Sequence, residues 1–84
     1  MEFWTEALAV CEKEELSMFL SAAARDLEEN PDDWENRDLV SFLEAMSAWV
    51  ADCDGFFERA GQNPPSSEGW ATVAKIVAAA RVYE

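Results

Sequence analysis

Carboxylates are the groups this chain offers for chemistry: eighteen Asp and Glu stand against six Lys and Arg in 84 residues, with no histidine. Seven of the acids crowd one stretch, Asp26, Glu28, Glu29, Asp32, Asp33, Glu35 and Asp38, with Arg37 the one base among them. Paired carboxylates hydrolyse glycosides when a deep cleft holds them at a fixed separation. A domain this small rarely encloses such a cleft. Without histidine, a Ser-His-Asp or Cys-His nucleophile cannot be assembled within the chain. Cys11 and Cys53 have no obvious cation to activate a thiolate, and Gly55, Gly61 and Gly69 are too isolated to cradle a phosphate. The expected protein is not an enzyme.

Metal binding fares no better. Asp52-Cys53-Asp54-Gly55 begins like a calcium loop, but the fifth and twelfth positions of that template fall on Phe56 and Asn63, which supply no carboxylate. Asp32, Asp33 and Glu35 would hold a divalent ion only loosely, and nothing selects for one. No metal or cofactor is expected. The four Trp residues would suit base stacking only beside a positive groove, and the chain has the opposite charge. Trp49 and Trp70 therefore read as core anchors. Trp34, between Asp33 and Glu35, either clamps a helix junction or stands exposed as a contact residue ringed by carboxylates.

The elements that must position these groups are helical. Half the residues are apolar, which separates the chain from a disordered acidic tail. Leu16, Phe19, Leu20, Ala23 and Leu27 mark one face of a helix over 12–29, ended by Asn30-Pro31. Leu39, Phe42, Leu43, Met46, Trp49 and Val50 mark a second, starting near Asn36 or Asp38, which Gly55 either stops or loosens. A loop from Gly61 to Ser66 precedes a third, capped by Ser66 or Ser67 and apolar nearly all round. Such a helix belongs in the middle of a bundle. Phe3, Trp4, Ala7, Leu8 and Cys11 also fit a helical stripe, so residues 1–11 read as a short leading helix. The expectation is a single all-α domain over 1–84: a compact bundle of three main helices, with the short N-terminal one. Two cysteines are too few for a secreted disulfide scaffold and read as buried, reduced thiols. Met1–Val10 lacks a basic signal region and no apolar run nears a membrane span, so a cytoplasmic location is expected.

Asn30-Pro31, Trp34-Glu35-Asn36, Leu39, Phe42-Leu43-Glu44-Ala45, Trp49, Asp52, Phe56-Phe57, Pro64-Pro65, Trp70 and Tyr83-Glu84 form an ordered series of landmarks. In these the chain resembles a small bacterial domain family of unknown function over about residues 12–84. Phe56-Phe57 stand where that pattern more usually has Tyr-Tyr. The resemblance implies a compact helical domain and no established activity. It also implies that Glu35, Asn36, Asp52 and Glu84 fasten helix ends as a polar network.

A formal charge of -12 repels nucleic acid and attracts basic proteins. Carboxylates at i and i+3 or i+4 of a helix stand about 5–6 Å apart, close to phosphate spacing. The leading expectation is therefore an inhibitor that occupies the Lys/Arg channel of a nuclease or nucleic-acid-binding complex as DNA would. CRISPR inhibitors and nuclease-toxin immunity proteins set the analogy. The expected contact strip is Asp26, Glu28, Glu29, Asp32, Asp33, Trp34, Glu35 and Asp38, with Asp52, Asp54 and Glu58 as a second patch. No direct nucleic-acid or membrane contact is expected, and the chain is a monomer or homodimer. The alternative is an accessory or adaptor domain whose acidic surface only confers solubility.

Overall fold

The computed structural model describes residues 2–84; Met1, included in the expected leading helix, lies outside them. Among the described residues there are helices and turns but no strand, so the all-α class holds. Five helices follow in order: α1 (Phe3–Ala9), α2 (Lys13–Glu29), α3 (Leu39–Asp52), α4 (Asp54–Arg59) and α5 (Ser67–Ala80). A single 3-10 turn, Pro31–Asp33, separates α2 from α3. The chain divides into two compact units, 1–46 and 47–84, with the boundary inside α3.

In the first unit, α1 is only seven residues long. Helices that short do not persist in water on their own. It is held by Phe3, whose ring meets Phe19 and Trp34 edge to face at centroid distances of 5.3 and 5.2 Å. α2 starts one residue later than the sequence pattern suggests, because Glu12 is its N-cap. The Glu15 carboxylate reaches back to accept the N–H groups of Glu12 (3.1 Å) and Cys11 (3.0 Å), the returning half of a capping box. At the other end, the Asn30 N–H donates to the Asp26 carbonyl at 2.7 Å, and Pro31 stops the helix. Asp38, rather than Asn36, caps α3: its carboxylate accepts the Ser41 N–H at 2.9 Å and the Ser41 hydroxyl at 2.8 Å.

In the second unit, the chain breaks stride at Cys53 between α3 and α4, and Gly55 lies inside α4. Cys53, at 2% exposure, is the one buried residue among the described residues. Beside it Trp49 meets Phe56 and Phe57 edge-on at 5.4 and 6.0 Å. Gly61 takes a left-handed φ of 67°, its N–H donating to the Glu58 carbonyl and that of Gln62 to Phe57. That pair of bonds is a Schellman closure, and only glycine adopts its backbone without strain. Ser66 then caps α5 through the Gly69 N–H at 3.3 Å.

Three burial expectations are corrected. Cys11 is exposed, because it precedes α2 on a turn that nothing covers. Trp49 retains 41% exposure, since Phe56 and Phe57 follow it closely in the chain and shield only part of its ring. α5 is not enclosed: Val73, Ile76 and Val77 keep 42%, 42% and 39% exposure. Its alanines at 71, 74, 78, 79 and 80 have the highest intrinsic helix propensity, which favours the helix apart from any burial.

Candidate protein-interaction site

The acidic strip is held by the end of α2, the 3-10 turn and the cap of α3. Its fulcrum is Asp26, in the last turns of α2. One carboxylate oxygen accepts the Trp34 indole N–H at 2.9 Å and the other accepts the Asn30 side-chain amide at 3.0 Å. The Trp34 bond, then the Asn30 bond, hold the Asp26 pKa below the ordinary carboxylate value against partial desolvation. The Arg37 guanidinium, anchored on the Trp34 carbonyl at 3.0 Å, pairs with Asp32 at 3.2 Å. The Ser41 N–H, then its hydroxyl, likewise lower the Asp38 pKa. The helix junction is thus fastened through Asp26, Asn30, Trp34, Asp32 and Arg37, whereas Glu35 and Asn36 line a groove beside it.

That groove has a volume of about 620 Å³. Phe3, Trp4, Phe19, Trp34 and Phe42 wall it, with Leu20 and Ala23 between them. Trp34 is half-buried and contacts Phe42 at 6.3 Å as well as Phe3, so it clamps the junction and also presents part of its ring to the groove. Among the described residues the lining holds four acids, Glu2, Asp26, Asp33 and Glu35, and no basic side chain.

Of the strip, Asp26, Asp33, Trp34 and Glu35 are brought together at this groove. Asp32 and Asp38 flank it in sequence and are engaged by Arg37 and Ser41. Glu28 and Glu29 end α2 exposed but do not line the groove. Asp52, Asp54 and Glu58 are exposed in the second unit, at the end of α3 and on α4. Within the strip the expected helical carboxylate spacing is confined to α2, because Pro31 breaks the helix and carries Asp32, Asp33 and Glu35 into a turn and an irregular segment. The aromatic wall is not legible in the sequence pattern. Phe3, Trp4, Phe19 and Phe42 stood out only as stripe residues, and two aromatics on a seven-residue helix were the available signal.

A second depression, of about 460 Å³, lies between α1 and α2 and is lined by Val10, Met18, Phe19 and Arg25 among others. Near it, the Cys11 thiol donates to the Glu15 carboxylate at 3.2 Å. That bond, then the charge of Glu15, raises the Cys11 pKa, while the Cys11 N–H lowers that of Glu15. Among the described residues, no group of three or more Cys, Asp or Glu side chains is gathered as a metal site requires.

Fold and site together define a small all-α domain with an acid-rimmed aromatic groove. The chain belongs to a family of unknown function, DUF7660, whose model matches residues 12–84. Phe3 and Trp4 therefore lie ahead of the matched region. No curated protein and no solved structure matches the chain. No helix among the described residues is long and apolar enough to cross a membrane.

Proposed function

We propose that this chain is a non-catalytic, acidic interaction module of the cytoplasm. It inhibits a basic nucleic-acid-binding protein, such as a nuclease, by covering the surface where nucleic acid would lie. The observation that carries this reading is the exposed carboxylate run Glu28, Glu29, Asp32, Asp33, Glu35 and Asp38, in which Arg37 is the one countercharge. A turn stiffened by Pro31 and by the Trp34–Asp26 bond displays these groups in a fixed arrangement. Fixed charges lose less entropy on binding than mobile ones and steer encounter with a cationic surface.

The test is capture of partners from lysate by the native chain and by a variant carrying Asp32→Lys, Asp33→Lys and Glu35→Lys. Recovery of a nuclease or nucleic-acid-binding complex by the native chain alone, abolished between about 0.1 and 1 M salt, is the expected result. Identical partners from both proteins refute it. The exposed Val73, Ile76 and Val77 favour a second reading, an accessory or adaptor domain that binds through the apolar face of α5, its charge serving solubility. Under that reading capture survives high salt.

A further inference from the structure

We propose that the groove walled by Phe3, Trp4, Phe19, Trp34 and Phe42 is the seat for an arginine side chain of the partner protein. This rests on the acidic-module reading and deepens it by naming the group that is gripped. Two features of the groove converge on a cation. Its walls are aromatic faces and edges, and Trp4 and Phe42 retain 56% and 40% exposure. Among the described residues its charged side chains are all acidic. An uncharged apolar ligand would suit the walls but gain nothing from four carboxylates. A free metal ion would suit the carboxylates but gain nothing from the rings.

A guanidinium satisfies both sets of groups. It lies flat on indole and phenyl faces and directs its N–H groups outward to carboxylates. The Trp34 indole N–H donates to the Asp26 carboxylate, which pushes electron density into the ring and strengthens its negative face toward a cation. Asp33 and Glu35, exposed and following one another around Trp34, stand where outward-pointing N–H groups need acceptors. Lysine would fill the groove less well, having no plane to stack and a more strongly hydrated head.

The experiment is an NMR titration of the full chain, following the indole N–H signals of Trp4 and Trp34. The probes are N-acetyl-arginine methylamide, its lysine and norleucine counterparts, and an arginine nonapeptide. Saturable shifts with the arginine probe, weaker with lysine and absent with norleucine, are expected. Trp4→Leu, which keeps an apolar wall but removes a ring, should weaken arginine binding about 3- to 10-fold with helix content unchanged. Equal binding of arginine and norleucine, or of arginine and lysine, overturns the assignment. Nonapeptide binding that Trp4→Leu leaves intact but the triple lysine variant abolishes also overturns it, while leaving the acidic-module reading standing. A nonapeptide that does not bind at low salt removes both.

Discussion

Truncating Phe3 to alanine tests whether one ring holds α1 in place. The side chain is half-buried and makes two edge-to-face contacts, with Phe19 and Trp34. Each such pair contributes about 0.5–1.5 kcal/mol beyond area burial. Withdrawing roughly half of a Phe side chain from water adds about 1 kcal/mol. The loss on truncation is therefore about 2–4 kcal/mol, an opening equilibrium shifted about 30- to 1000-fold. A seven-residue helix has no reserve against that loss. Hydrogen exchange on the native chain and Phe3→Ala should show the Glu6 and Val10 amides, bonded to Glu2 and Ala7, losing their protection. The amides of α2 should keep theirs. Phe3→Leu, which retains burial but not the ring edges, should fall between. If α1 exchanges equally in all three proteins, the ring is not the anchor and the reasoning fails.

Other expectations concern single groups. The folded-state pKa values of Asp26 and Asp38 are lowered, so their stabilisation is complete above the ordinary carboxylate range and is lost as pH falls through the lowered values. Asp26→Asn and Asp38→Asn should each flatten the acid side of the pH–stability curve below about pH 4, measured by urea unfolding. Glu15→Gln removes the carboxylate that keeps the Cys11 thiol protonated, so iodoacetamide should alkylate Cys11 faster at pH 8; an unchanged rate refutes that coupling. Gly61→Ala forces a Cβ into the left-handed conformation and should cost about 1–2 kcal/mol in thermal unfolding, although the site has room for the methyl group.

Helix positions were legible because their signals are local. The stripe from Leu16 to Leu27, the Pro31 stop and the Ser66 cap each act within a few residues and need no tertiary information. The start of α3 was narrowed to two candidates because Asn36 and Asp38 are both competent caps. The Ser41 N–H and hydroxyl, both donating to Asp38, decide between them. The acids of the site were legible too, since charge density is read directly from composition. The groove was not. It depends on Phe3 of α1 reaching Trp34, a pairing of residues 31 positions apart that no periodicity encodes. Burial failed at α5 for a related reason: a broad apolar pattern shows that a helix wants cover, and says nothing about whether cover is supplied.

That bare α5 face has a consequence for handling the molecule. Far above its isoelectric point, near pH 4.1, mutual repulsion between like-charged copies keeps Val73, Ile76 and Val77 of neighbouring molecules apart. Acidification toward that point withdraws the repulsion and leaves the greasy stripe untouched. Precipitation should therefore set in on mild acidification while the helices are still formed, and dissolve again when base is added.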